Sequence, residues 1–174
     1  MSKSKDPSGG ILDAAARKLR LPFGAPVFID RIVSGSVDEA GRRTVQMLIN
    51  TWDLAEGGPF AAQAISAGGM AKTVEVVYDS LIGPIFGPLL KRLGADDVTR
   101  RAGLCATQLV GVGVVRYVAR AEPIRSMTPE ELADAIAPTL QRYLIGDISL
   151  TQLILRYLQY GVRNQVCMAN GNAS

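Results

Sequence analysis

Few side chains in this sequence are grouped in the way that catalysis requires. Carboxylates are paired at Asp96-Asp97 and at Glu130-Glu131, an arrangement that can divide acid and base roles. Both pairs lie at the start of helical runs, where the helix dipole stabilises negative charge. We therefore expect them to cap helices. Cys105 lies in an apolar helical run, which predicts an unreactive core thiol.

The sequence also gives little support for a phosphate-binding loop. Residues 68–73 (GGMAKT) faintly resemble a P-loop, but that motif needs a glycine immediately before the lysine, on a turn from a strand into a helix. Here Ala71 precedes Lys72, and a predicted helix precedes the loop. We therefore expect this segment to be a turn between two helices.

Composition removes several other classes of site. The sequence has no histidine, which excludes Ser-His-Asp and Cys-His catalysis and histidine-ligated metals. Its two cysteines cannot form a disulfide scaffold and do not have zinc-site spacing. The net charge of +3 is too small to indicate nucleic-acid binding. We therefore predict that the protein has no catalytic residue, no metal site and no cofactor, and that it is not an enzyme.

Hydrophobic periodicity predicts helices along almost the whole chain. Val45, Ile49 and Trp52, for example, recur at the spacing of one helix face. Residues 36–39 and 128–131 both have the capping-box pattern of a helix start. Eight or nine helices joined by short turns predict an all-α fold. The predicted helices cover residues 11–19, 26–33, 37–54, 60–67, 72–82, 85–93, 98–120, 128–144 and 150–166.

Large apolar side chains are spread over four consecutive predicted helices in the middle of the chain. They either fill an ordinary core or line an apolar ligand pocket, and the glycine- and proline-rich joints between these helices suit an adjustable pocket. The hydroxyl of Tyr78 and the amide of Gln108 are the candidate polar groups of such a pocket. The candidate ligand-binding residues are Met47, Trp52, Phe60, Met70, Tyr78, Phe86 and Gln108.

The helix predicted at residues 98–120 is rich in small residues. It carries Gly103, Gly111 and Gly113, with Ala106 among them. Each glycine inside a helix costs about 1 kcal/mol relative to alanine, so three in one helix indicate a compensating close contact. That contact lies either between helices of one chain or between two chains.

A series of short motifs runs through residues 85–144 in a characteristic order. GPLLKRLG is followed by ATQLVG and RYV, then by EP, SMTPEEL and APTLQRYL. In this order and spacing the region resembles the C-terminal domain of TetR-type transcriptional regulators. Upstream, residues 14–23 (AAARKLRLPF) are similar to the helix that links the DNA-binding head of that family to its body, and residues 41–53 resemble the next body helix.

The resemblance implies a TetR-type C-terminal helical domain that binds a small, usually apolar effector and forms a two-fold homodimer. In such dimers the last two helices of each body, here residues 98–120 and 128–144, pack as a four-helix bundle. Effector binding shifts the linking helix and changes the spacing of the two heads on DNA. The implied interface residues are Gly103, Ala106, Val110, Gly113, Tyr117, Leu132, Ile136, Leu140 and Tyr143.

The chain departs from the family pattern at both ends. The family has a helix-turn-helix head before the linking helix, whereas only ten polar residues precede Ile11. We expect a disordered segment at residues 1–10, the body at residues 11–146, and an amphipathic helix with a tail at residues 147–174. DNA would then be contacted only through a head that this chain does not contain. The predicted function is the effector-binding and dimerisation body of a regulator; the alternative is a headless regulator that acts by protein–protein contact with full-length relatives.

The sequence also predicts the compartment. Its polar start (MSKSKDPSGG) does not resemble a signal peptide. The most apolar run, residues 104–115, is shorter than the roughly 18 residues of a membrane span. We therefore expect a cytoplasmic protein that has no contact with a membrane.

Overall fold

The computed structural model describes residues 14, 17–19, 21 and 24–149, without the side chains of residues 62–68. Within these residues every regular element is helical, which confirms the predicted all-α class. Single 3₁₀ turns, Val37–Glu39 and Gly58–Phe60, precede the second and third helices. The α-helices are α1 (Ala25–Val33), α2 (Ala40–Leu54), α3 (Ala62–Leu81), α4 (Gly87–Arg92), α5 (Val98–Gly113) and α6 (Pro129–Ile145).

The described residues do not test the predicted number of eight or nine helices. Six α-helices lie within the described part of the chain. The helix predicted at residues 150–166 lies outside it, as does most of the helix predicted at residues 11–19. The helices predicted at residues 60–67 and 72–82 correspond to the two halves of α3 (Ala62–Leu81), which the non-helical Gly69 separates.

The two predicted capping boxes have different outcomes. At α6 the Thr128 hydroxyl accepts the N–H of Glu131 at 3.2 Å, and the Glu131 carboxylate accepts the N–H of Thr128 at 2.8 Å, which confirms this box. Pro129 occupies the first helical position, where no N–H is needed. The box predicted at Ser36 and Glu39 is wrong, since neither of its two side-chain bonds forms between these residues. The Ser36 hydroxyl accepts the N–H of Asp38 at 3.3 Å and caps a 3₁₀ turn that precedes α2.

Three distortions divide the long central helices. Gly69, inside α3, has φ 78° and ψ 163°, a conformation that glycine adopts far more easily than other residues, and the helix kinks there. A π-helical turn, Ile82–Phe86, joins α3 to α4, where two Gly-Pro pairs predicted a kinked continuation. A second π-helical turn, Val114–Ala119, extends α5 and contains neither glycine nor proline. The sequence therefore carried no signal for this second turn.

Close contact between α2 and α6 organises one side of the core. Gly41 allows it, because a Cβ atom there would lie 2.8 Å from the main-chain nitrogen of Gln141 and 2.9 Å from the carbonyl oxygen of Ala137. The Gln141 amide also bridges the two segments: Oε1 accepts the N–H of Gly41 at 2.6 Å, and Nε2 donates to the carbonyl of Val37 at 2.8 Å. Gly41, which lies outside the glycine-rich α5, thus allows the close contact of α2 with α6.

Arginine side chains satisfy two helix ends. The last carbonyl groups of an α-helix have no partner within the helix. Arg101, only 3% exposed, donates to the carbonyl of Tyr143 at 3.0 Å and binds the Asp96 carboxylate at 2.6 Å. Arg43 donates to the carbonyl of Ile32 at 2.6 Å. The C-terminal ends of α6 and α1 are therefore fixed by side chains from other helices.

Two helical segments of the described chain, Gly69–Arg92 and Val98–Ala119, are long and apolar enough to cross a membrane by length and composition alone. In each segment 44% of the apolar window is buried against the rest of the chain. The core helix of a globular protein passes the same test, so this property is weak support for a membrane span.

The α2–α6 contact gives the first test. Gly41→Ala should lower the free energy of unfolding by about 1–3 kcal/mol, because the added methyl group meets main-chain atoms that cannot rotate away. Ala71→Ser is the control, since it adds one atom at an exposed position of α3. It should change the free energy of unfolding by less than about 0.5 kcal/mol. Urea unfolding measures both, and equal values for the two variants would contradict the packing described.

Candidate functional site

An aromatic cluster, formed by Trp52, Phe60 and Tyr117, joins the end of α2 to the end of α5. Trp52 lies edge-on to Phe60 with ring centroids 5.5 Å apart, and edge-on to Tyr117 at 6.3 Å. Phe60 and Tyr117 are stacked at 6.3 Å. Such arrangements are favourable for aromatic pairs. The indole N–H of Trp52 donates to the carbonyl of Leu19 at 3.0 Å, so the segment before α1 is attached to the same cluster.

Two glycines make room for the rings of this cluster. A Cβ atom on Gly113 would overlap the ring of Phe60, and a Cβ atom on Gly58 would lie 2.6 Å from Cδ1 of Trp52. Gly58 also has a positive φ of 54°, which favours glycine. Gly113 therefore serves a close contact within one chain.

A charged pair lies beside the aromatic cluster. Arg116, only 9% exposed, donates through Nε and Nη2 to the two carboxylate oxygens of Asp53 at 3.0 and 2.7 Å. Its Nη1 donates to the carbonyls of Ile124 and Met127 at 2.8 and 2.9 Å. The Tyr117 hydroxyl donates to Asp53 at 2.8 Å. One guanidinium thus connects α2, the second π-helical turn and the loop that leads into α6.

Tyr117 and Arg116 both stay protonated at neutral pH. Burial raises the pKa of Tyr117 well above its usual range, and the hydrogen bond to Asp53 raises it further. The same carboxylate, by its hydrogen bond, raises the pKa of Arg116. Burial raises the pKa of the Cys105 thiol to about 12, in agreement with an unreactive core thiol. Among the described residues, no group of histidine, cysteine, aspartate and glutamate side chains could hold a metal ion.

Three of the candidate ligand-binding residues pack in the core. Trp52, Phe60 and Phe86 are at most 1% exposed. Trp52 and Phe60 contact each other, whereas Phe86 belongs to the π-helical turn between α3 and α4. The packing of these three rings favours the interpretation that they fill an ordinary core.

Three other candidates, Met47, Met70 and Tyr78, are only partly buried. Met47 and Tyr78 pack against the core from outside. A Cβ atom on Gly103 would lie 3.2 Å from the Tyr78 hydroxyl, so this oxygen lies close to α5. Within the described chain the hydroxyl has no hydrogen-bond partner. These residues keep surface that a ligand could contact.

An open apolar groove of about 480 Å³ runs along α5 and α6. Gln108, the remaining ligand candidate, lies in this groove and not with the aromatic cluster. Gly111 also lines it, and a Cβ atom there would meet no atom of the described residues within 4 Å. Because Gly111 and Gly113 are two residues apart, they face nearly opposite sides of the helix. The groove is lined by Leu104, Thr107, Gln108, Gly111, Val112, Val115, Ile124, Ile136 and Tyr143.

A family model described as the tetracyclin repressor-like, C-terminal domain matches residues 38–144. This span is more than half of the chain and contains nearly all of α2 to α6. The chain belongs to this TetR family.

A TetR-family regulator from Streptomyces coelicolor A3 has a similar solved structure. The TM-score is 0.56 and the sequence identity is 22%, over 76% of this chain and 84% of that chain. At this identity the likeness shows a shared fold, and it confirms the TetR-type helical fold predicted from the order of the motifs. No curated protein matches the chain significantly.

In this TetR-family body the candidate interface residues divide by burial. Five of them are buried within the chain and so offer little surface to a partner. Those five are Ala106, Val110, Gly113, Leu132 and Leu140. Gly103, Tyr117, Ile136 and Tyr143 are partly exposed. Of these four, Ile136 and Tyr143 line the groove, while Tyr117 belongs to the aromatic cluster.

The sequence reasoning missed the Asp53–Arg116 pair, although a signal was present. Arg116 interrupts the otherwise apolar run of Val114 to Val118, and a charge in a buried run needs a partner. The groove residues Leu104, Gln108, Gly111 and Val115 had a signal too, since they recur at the spacing of one helix face. The spacing alone does not show which face of α5 points outward; the burial of the opposite face decides it.

The charged pair gives the second test. Asp53→Asn should lower the free energy of unfolding by about 2–3 kcal/mol, because it leaves the nearly buried Arg116 without a counter-charge. Asp134→Asn is the matched control: its ion pair with Arg42 is exposed, and its loss should cost less than about 1 kcal/mol. Urea unfolding followed by the fluorescence of Trp52, the single tryptophan, measures both. Similar losses in the two variants would refute a special role for the buried pair.

Proposed function

We propose that this chain is the effector-binding and dimerisation body of a cytoplasmic TetR-type transcriptional regulator. The proposal is carried by the open apolar groove on α5 and α6 of a TetR-family C-terminal domain. In this proposal a homodimer covers the groove, and a small apolar effector binds beside α2 and α3. Effector binding then controls DNA binding by a helix-turn-helix head, and no DNA contact is assigned to the body itself.

The chemistry of the groove supports a homodimer. Leu104, Val115 and Ile136 are apolar and partly exposed, and removing such surface from water gains about 25 cal/mol per Å². The exposed Gly111 allows another main chain to approach the face of α5. In a two-fold dimer the same face is used by both copies, so α5 and α6 of each copy would form a four-helix bundle. We place Leu104, Gly111, Val115, Ile136 and Tyr143 at its centre.

The third test concerns assembly. Gly111→Glu should convert a dimer into a monomer of unchanged helix content, because a carboxylate in the covered groove would lose its water without gaining a partner. Light scattering during size-exclusion chromatography at micromolar concentration measures the mass. Ala71→Glu, at an exposed position of α3, is the control and should remain dimeric. A monomeric wild-type protein, or a dimeric Gly111→Glu variant, would refute dimerisation through this face.

The partly buried Met47 and Tyr78 support the effector part of the proposal. They offer apolar surface together with one hydroxyl that has no intramolecular partner among the described residues. Such a surface suits a ligand with an apolar body and a single hydrogen-bonding group. The segment that carries Tyr78 lies between the kink at Gly69 and the π-helical turn Ile82–Phe86, both of which interrupt regular helix packing.

The fourth test concerns the effector. Within a panel of apolar compounds that each carry one hydroxyl or carbonyl group, binders should raise the melting temperature by mass action and change the fluorescence of Trp52. Tyr78→Phe should weaken their binding by about 5–10-fold, since it removes one hydrogen bond. Tyr143→Phe, which removes the same atom from the groove, should leave their affinity unchanged. If no compound changes either signal, Met47 and Tyr78 are left with a packing role only.

A further inference from the structure

We infer that Gln108 and Tyr143 select the partner that covers the groove, and that this partner is an identical chain. The inference rests on the dimerisation proposed above and adds the reason why like pairs with like. Both side chains line the groove. Among the described residues, neither side chain makes a hydrogen bond. Within the described residues they are the two groove side chains whose polar groups lack a hydrogen bond.

The other residues that line the groove do not need a hydrogen-bond partner from outside. The hydroxyl of Thr107 already donates to the carbonyl of Gly103 at 2.8 Å. The other lining residues are aliphatic or glycine. In a single chain, water can satisfy Gln108 and Tyr143, because both are partly exposed. A second apolar surface that covers the groove removes this water, and an amide or hydroxyl left unpaired there is unfavourable.

An identical chain supplies the missing partners. An amide and a phenol can each donate and accept a hydrogen bond. In a two-fold interface residues near the axis meet their own copies, so we pair Gln108 with the partner's Gln108 and Tyr143 with the partner's Tyr143. A covering helix with only apolar side chains at these positions would leave both groups unpaired. Buried polar groups of this kind specify the partner and the register of helical interfaces.

The experiment mixes wild-type protein with a mass-labelled Gln108→Leu variant and counts the dimers by native mass spectrometry at equilibrium. The variant should form a homodimer, because replacing both polar partners by apolar groups is nearly neutral. A mixed dimer buries one amide against a leucine. Mixed dimers should therefore be about tenfold rarer than the statistical proportion.

Two further variants make the result specific. Thr107→Val lines the same groove but removes a hydroxyl that is bonded within its own helix, so its mixed dimers should form in the statistical proportion. Tyr143→Phe removes only the hydroxyl and should make mixed dimers rare, in the same direction as Gln108→Leu. If Gln108→Leu does not dimerise, the proportion of mixed dimers formed by Tyr143→Phe tests the inference instead.

The outcomes separate this inference from the proposed function. Statistical mixing of both Gln108→Leu and Tyr143→Phe with the wild type would overturn the inference and point to another occupant of the groove, such as a small ligand. The homodimer would still stand if Gly111→Glu is monomeric. A depletion of mixed dimers that is equally large for Thr107→Val would also overturn it. A wild-type protein that is monomeric refutes the proposed dimer itself.

Discussion

The charge of Arg116 cannot lie in the interior without partners, and the surrounding structure supplies them from three directions. Asp53 comes from the end of α2, and the carbonyls of Ile124 and Met127 come from the loop before α6. Removing any one of these segments would leave a nearly buried charge under-satisfied, which is strongly unfavourable. The aromatic cluster packs beside the pair, and through Trp52 it also holds the carbonyl of Leu19. The segment before α1, α2 and α5 are therefore joined at one point.

Local patterns predicted the elements well because helical periodicity and caps are properties of neighbouring residues. The helix predicted at residues 26–33 is α1 (Ala25–Val33), and the one predicted at residues 128–144 is α6, with its capping box formed. The π-helical turn Val114–Ala119 could not be predicted in this way. An α-turn and a π-turn carry the same apolar pattern, and only the tertiary contacts of Arg116 and Tyr117 distinguish them.

The candidate site was predicted less completely, because a pattern shows that a residue is special but not which neighbour makes it so. Gly111 and Gly113 look equivalent in the sequence. In the structure Gly113 faces the ring of Phe60, while Gly111 faces the groove, where no other described residue comes within 4 Å of its Cβ position. The polarity of Gln108 made it a pocket candidate beside the aromatic residues, yet it lies in the groove with Gly111. Which side of α5 is covered by the rest of the chain is a tertiary property, and it decides each of these roles.

The groove and the surface around Tyr78 are not independent, because α5 contributes to both. The Tyr78 hydroxyl lies close to Gly103, and the carbonyl of Gly103 accepts the hydroxyl of Thr107, which lines the groove. A packed helix moves as a unit and does not bend around each contact. A ligand at Tyr78 that displaced α5 would therefore also change the groove. By the reciprocity of linked equilibria, a partner in the groove would change the affinity for that ligand by the same factor.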